Sequence, residues 1–315
     1  LTALRCAELW QEAGLPDGVL NIVTCTRQES EQFLTHPDVK GICFVGTTGV
    51  GKHIYGIAAA NGKRVQAQTE AKNHALVLED AALERTARGI INSAFGCAGE
   101  RCMALPVVVA QESIADKLVE LLVKFAGELK VGPAYDKTTD LGPVVDASHK
   151  AKVVKWIEKG VEEGARLVLD GRGITVPGYE NGFYLGPTIF DHVTEDMAIG
   201  QQEIFGPVLA VKRCKDFDEG IEMMNRNPFA NGSVIYTQSG YYSREFARRT
   251  DGGMVGINVG IPVPAGIFSF SGHKDSFFGD LHCLGKDGVR FFTEIKAVTT
   301  HWFDEEEKKA KEVDT

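Results

Sequence analysis

Three short stretches of this chain carry side chains whose types and spacing could do chemistry: "FVGTTGVGKH" at 44–53, "SAFGCAGERCMAL" at 93–105 and "QQEIFGPVLAV" at 201–211. In the second, an apolar helical run ends in small residues and Gly99, and Glu100, Arg101 and Cys102 precede the next apolar run. A thiolate is a nucleophile and a neighbouring guanidinium lowers a thiol's pKa, so Cys102 beside Arg101 is a candidate for covalent catalysis. The competing reading of Cys102 is a buried structural cysteine. Cys97, on the helical run among Ala and Gly, is read as packing. In the third stretch Glu203 stands before an apolar turn with Gly206 and Pro207, and by itself an acid at such a strand entry is more often surface than functional.

The first stretch is ambiguous. Gly46, Gly51 and Lys52 have the spacing G-x-x-x-x-G-K of a phosphate-cradling loop, in which backbone N–H groups and a lysine hold phosphates. The next residue is His53, where that motif needs Ser or Thr, and magnesium prefers hard oxygen donors. "ALVLED" at 75–80 could be offered as a magnesium-binding strand, yet apolar runs ending in acid are common in α/β proteins. A hydrolase site with a defective motif, a plain structural turn and a phosphate contact of another kind all remain open on these residues.

These residues must be positioned by the elements around them. Residues 1–13 read as a helix stopped at Gly14, 19–24 and 41–46 as buried strands, 27–37 as helical, and 52–62 as a helix after a turn at Gly49 and Gly51. Strands are expected near 64–69, 75–79, 105–110, 166–170, 184–190, 207–213 and 232–237, with helices at 83–98, 112–129, 148–163, 217–226 and 240–249. This alternation predicts an α/β fold with parallel strands and right-handed crossovers. The stretch 256–288 is too rich in Gly, Pro and Phe to assign, and 297–302 alternates like a strand before the mixed-sign tail "DEEEKKAKE" at 304–312.

Bulk properties narrow the function classes. With 315 residues, the chain can bury a sizeable core without staples. The net charge of −9, with no basic stripe, argues against nucleic-acid binding. Seven irregularly spaced cysteines without a C-x-x-C argue for free thiols rather than a disulfide framework or a metal site. No apolar run reaches about 18 residues, so no membrane span is expected. The chain opens in mid-helix without an initiator Met or a signal peptide, and a fragment of a longer protein is the simplest expectation.

Taken jointly, the three stretches resemble the aldehyde dehydrogenase superfamily, and within it the coenzyme A-acylating semialdehyde branch. The similarity runs from "EAGLPDGVLNIV" to "FFTEIKAVTTHW", and "GERCMAL", "EIFGPV", "YENGFYLGPTI", "NPFANGSVIYT" and "GINVGIPVPAGIFSFSG" carry it. The resemblance implies a partial dinucleotide-binding, Rossmann-type domain at 1–72, an α/β catalytic domain at 73–268, and a return segment at 269–315 with an oligomerisation strand. It makes "FVGTTGVG" the turn where Gly46, Thr47 and Gly51 bring backbone to the pyrophosphate of NAD, and it leaves Lys52 a surface residue. It makes Cys102 the nucleophile, Arg101 the grip on a substrate carboxylate, Glu203 a partner of the nicotinamide ribose, and Phe205 a neighbour of the nicotinamide.

The implied reaction oxidises malonate or methylmalonate semialdehyde through a thioester on Cys102, with loss of CO₂ and transfer of the acyl group to coenzyme A. Hydrolytic members carry a glutamate in E-L-G-G-K; here "QTEAKN" at 68–73 has Gln68 at that position, and an amide cannot act as a base. Glu70 departs from the branch's usual glycine, without an explanation from sequence. The oxyanion-hole asparagine, the adenosine-ribose lysine, a second substrate arginine and the first dinucleotide-domain strands are expected to lie upstream. The chain alone is therefore expected to bind NAD weakly and turn over poorly, with an inert, merely oligomerising scaffold as the alternative. The expected partners are a small semialdehyde and copies of this chain in a dimer of dimers, in mitochondria if eukaryotic and the cytosol if bacterial.

Overall fold

The β–α–β alternation becomes a set of parallel crossovers in the computed structural model, which describes residues 1–309. In chain order, the first half contains α1 (Thr2–Glu12), α2 (Arg27–Ser30), α3 (Gln32–Thr35), β1 (Gly41–Val45), α4 (Thr48–Ala60), β2 (Arg64–Gln68), β3 (His74–Val77), α5 (Leu83–Phe95), β4 (Val107–Gln111), α6 (Glu112–Gly127) and α7 (Ala147–Glu162). There follow β5 (Arg166–Leu169), β6 (Thr188–Asp191), β7 (Val208–Cys214), α8 (Phe217–Asn225), β8 (Phe229–Ala230), β9 (Gly232–Tyr236), α9 (Gly240–Arg249), β10 (Met254–Ile257), β11 (His273–Lys274), β12 (Phe277–Gly279) and α10 (Gly285–Phe291).

Seven strands form the main sheet in the order β10-β9-β3-β4-β7-β6-β5. All neighbours run parallel except β5 against β6. Val107, Val108, Val109 and Ala110 of β4 are fully buried, as expected of a central strand covered on both faces. A smaller sheet has the order β1-β2-β12, with β1 at its edge. β12 comes from the end of the chain and pairs antiparallel with β2, so the 269–315 segment completes the sheet that β1 and β2 begin.

The structure corrects several boundaries. Residues 19–24 form no strand, and Val19 and Val23 are exposed, because no described strand lies alongside to take their peptide groups. The run 27–37 splits into α2 and α3 and ends before Pro37, whose ring disfavours a helical His36. Gly49 and Gly51 are not in a turn but inside α4, which starts at Thr48 with Thr47 as its N-cap. The strand expected at 184–190 shortens to β6. The unassigned stretch 256–288 holds β11, β12 and the start of α10. Residues 297–302 form no strand, with Val298 and Trp302 exposed at 77% and 87%, since no described residue offers them a pairing edge. The tail 304–312 runs past the last described residue.

Gly51 sets how closely α4 lies on its strand. A Cβ there would stand 2.3 Å from Thr69 Cγ2, and Thr69 cannot swing away freely because its hydroxyl donates to the Asp275 carbonyl at 2.6 Å. Overpacked sites of this kind cost about 1–3 kcal/mol. Gly51→Val is expected to lower the denaturant midpoint by that much in urea unfolding, whereas Gly56→Ala, with open space around it, should be neutral or stabilising.

Candidate active site

The cysteine corner is built from unusual backbone. α5 stops at Phe95 because Gly96 turns extended, and Cys97 and Ala98 then adopt left-handed φ values of 53° and 55°. Two consecutive non-glycine residues in that region are strained, so the surroundings must hold them there. Cys97 is therefore not on the helix, as the sequence suggested; it is exposed on a tight corner. Gly99 follows at φ +70°, and a Cβ on it would lie 2.2 Å from the Gly206 carbonyl oxygen. That contact of backbone with backbone brings the Cys102 corner against the 203–207 turn.

Buried amides fix the nucleophile's own peptide. Asn73 Nδ2 donates to the carbonyls of Cys102 at 2.9 Å and Ala104 at 2.7 Å, while its Oδ1 accepts from Gly232 N at 2.8 Å. Asn231 Nδ2 adds a second bond to the Cys102 carbonyl at 3.1 Å. From the other side, His149 Nε2 donates to the Phe205 carbonyl at 2.6 Å and stands 3.3 Å from the Glu100 carboxylate. Phe205 itself has a left-handed φ of 58°. None of Asn73, Asn231 and His149 was singled out from sequence, because an amide or imidazole acquires such a role only through what the fold packs beside it.

One cleft of about 870 Å³ collects Gly46, Thr47, Arg101, Cys102, Glu203 and Phe205, together with Glu70 and His149. Gly51 does not line it; it lies buried beneath, under Thr69. Lys52 is half exposed and pairs with Asp275 at 3.2 Å, across the surface.

The electrostatics differ from the sequence expectation at Cys102. Burial pushes its thiol above the usual value, and the charge of Glu203 pushes it further, while its own N–H and that of Met103 favour the thiolate. Arg101 does not supply the expected depression. Its Nε donates to Cys97 Sγ at 3.2 Å and its Nη1 to the Asn92 carbonyl at 3.5 Å, and the guanidinium covers Gly96. Glu203 is raised to about 7, chiefly by burial and also by Glu70, against an opposing bond from Ala71 N at 3.1 Å. Lys72, fully buried with no partner for its Nζ among the described residues, is lowered to about 7 by desolvation, with Lys212 adding to the effect.

The N-terminus of α4 opens onto the same cleft. Thr47 gives it no side-chain cap; instead the carboxylate of Glu70 accepts from Thr48 N at 2.8 Å. An anion on the first turn is what a helix N-terminus favours, so this seat suits a phosphate oxygen once Glu70 withdraws. Gln68 does not reach the cleft: it is buried in β2, and its amide donates to the Phe270 carbonyl at 3.0 Å. The carboxylate that lines the cleft on this side is at position 70, the residue that departs from the branch's usual glycine.

The chain is similar to known proteins along most of its length. A malonate-semialdehyde dehydrogenase of Geobacillus kaustophilus is 54% identical over 96% of this chain, and the match spans 62% of that protein. The structure of a methylmalonate-semialdehyde dehydrogenase from Oceanimonas doudoroffii superposes with a TM-score of 0.94 at 44% identity, covering 97% of this chain and 63% of that one. A Mycobacterium tuberculosis aldehyde dehydrogenase complexed with NAD+ superposes with a TM-score of 0.88 at 31% identity, covering 93% of this chain and 59% of that one. The chain thus spans about 62% of the length of the curated relatives it matches. With the profile of the aldehyde dehydrogenase family matching residues 1–298, this α/β chain belongs to the aldehyde dehydrogenase family.

Proposed function

We propose that the chain carries the nucleophile, the substrate-carboxylate grip and part of the dinucleotide seat of an NAD-dependent, coenzyme A-acylating dehydrogenase of malonate and methylmalonate semialdehyde. One observation supports this above the rest: the Cys102 thiol, the Glu203 carboxylate, Arg101 and the open N-terminus of α4 face a single cleft. The names of the relatives supply the substrate class. Residues 1–72 are taken as the dinucleotide part, 73–268 as the catalytic part and 269–315 as the return segment. The exposed run at 297–302 is taken as the strand that pairs between copies in a dimer of dimers.

Cys102 Sγ adds to the aldehyde carbon, and the Cys102 N–H lies where it can donate to the developing oxyanion. Among the described residues Arg101 is bound only to a sulfur and, at the limit of reach, to a carbonyl, which leaves N–H groups to take a substrate carboxylate in a planar fork. Glu203 accepts hydroxyl donors of the nicotinamide ribose, and Gly46, Thr47 and the first turn of α4 receive the pyrophosphate. Bound NAD supplies the hydride acceptor that turns the adduct on Cys102 into a thioester. Coenzyme A is the acyl acceptor, and Gln68, an amide buried in β2, offers no base to activate water.

NADH formation from malonate semialdehyde tests the reading, with acyl-CoA and free acid quantified separately. NADH turnover that yields acyl-CoA and falls away without coenzyme A supports it, and equal turnover to free acid without coenzyme A refutes the acylating step. Since the ionised Glu203 opposes a Cys102 thiolate, Glu203→Gln is expected to speed iodoacetamide labelling of Cys102 at neutral pH. Labelling of Cys97, in the separate tryptic peptide 89–101, should be unchanged. Because the Glu203 pKa is raised to about 7, its ionised form accumulates as pH rises through that value. NAD affinity should therefore strengthen across that range in calorimetry and become flat in Glu203→Gln. Removing the carboxylate from the phosphate seat in Glu70→Gln should tighten NAD by about 2–5-fold, from the ~0.3–1 kcal/mol of an anion at a helix N-terminus. Unchanged affinity would show that Glu70 does not compete there.

A further inference from the structure

Away from the cleft, the sheet β1-β2-β12 brings two thiols to one oxygen. Cys43 on β1 lies opposite Gln66 on β2, and Cys283 lies beyond β12 on a segment bridged to Phe270. Each sulfur donates to the same Gln66 Oε1, at 3.1 Å in both cases, which sets the two thiols side by side on one acceptor. Gln66 Nε2 in turn donates to the Leu281 carbonyl at 2.7 Å, which holds the Cys283 segment over the strand. Both cysteines are free thiols; Cys43 is exposed and Cys283 half-buried. The cleft chemistry uses neither of them.

The two sulfurs are also unequal. Once Cys43 ionises, the one proton of Cys283 can turn from Gln66 to the Cys43 thiolate, which brings the Cys43 pKa down to about 7, while the Cys283 thiol is pushed up by the same contact and by burial. A readily ionised, exposed thiol beside a protonated neighbour is the arrangement of an attacking and a resolving cysteine.

We propose that Cys43 and Cys283 form a redox-active dithiol that closes to an intramolecular disulfide between β1 and the 269–315 segment. The oxidant is a low-molecular-weight disulfide such as oxidised glutathione. Cys43 as thiolate attacks one of its sulfurs and releases one glutathione thiolate, leaving a mixed disulfide on Cys43. Cys283 then loses its proton and attacks Cys43 Sγ, expelling the second glutathione. Two protein thiols are oxidised, one disulfide is reduced to two thiols, and the two protons pass to the departing glutathiones. Since β1 runs directly into Gly46 and Thr47, closure ties the rim of the cleft covalently to the returning chain.

Tryptic mapping distinguishes the outcomes cleanly, because peptide 41–52 contains only Cys43 and peptide 275–286 only Cys283. The native protein is incubated with oxidised glutathione, alkylated, digested and analysed by mass spectrometry. The expected result is one linked peptide that lacks two hydrogens, with both single peptides falling together and returning after reduction. Cys283→Ser should instead leave Cys43 as a stable glutathione adduct. Separate glutathione adducts on both cysteines in the unsubstituted protein would overturn the proposal, as would links to other cysteines or failure of both to react.

Discussion

The site depends on the buried amide of Asn73. Its two N–H groups hold the carbonyls of Cys102 and Ala104, and its oxygen takes the N–H of Gly232 at the start of β9. A buried polar group left without its partner costs about 1–3 kcal/mol. Asn73 satisfies three such groups from two other parts of the chain, so the start of β3, the nucleophile corner and β9 are fixed to one another. With the Cys102 carbonyl pinned, the Cys102–Met103 peptide is held in place at the cleft. The strained corner at Cys97 and Ala98 can persist only because its far end is held in this way.

The second constraint is the approach of Gly99 to Gly206. Because no side chain intervenes, the turn that carries Glu203 and Phe205 sits against the corner that carries Cys102. The closeness has an electrostatic consequence. Glu203 is shielded from water and held near neutrality, and its charged form raises the thiol beside it. Ligand hydroxyls that donate to Glu203 would favour its charged form and so add to that opposition. Thiol reactivity thus belongs to the assembled site rather than to the neighbouring Arg101, whose guanidinium faces Cys97.

The α/β alternation was legible in the sequence because it follows from period and turn chemistry, and the motif residues Cys102, Glu203 and Thr47 do come together at one cleft. Partners were not legible. The direction of Arg101 depends on the left-handed corner that turns Cys97 toward it, and nothing in "GCAGERC" announces two such residues in a row. The strands read at 19–24 and 297–302 have the right pattern, but a strand exists only where another takes its peptide groups, and pattern does not reveal the neighbour. Glu70 looked anomalous from sequence; once α4 was found to begin at Thr48, it became a cap supplied from another element.

The edge position of β1 has a consequence for handling the polypeptide. One side of that strand presents a row of peptide groups unclaimed by any described neighbour, next to the apolar side chains of Ile42 and Phe44. Such a border is a template for strand addition, so self-association through it would rise with concentration and would compete with any ordered assembly. Charged or proline-bearing positions placed along that border would be the natural means of keeping the molecules apart.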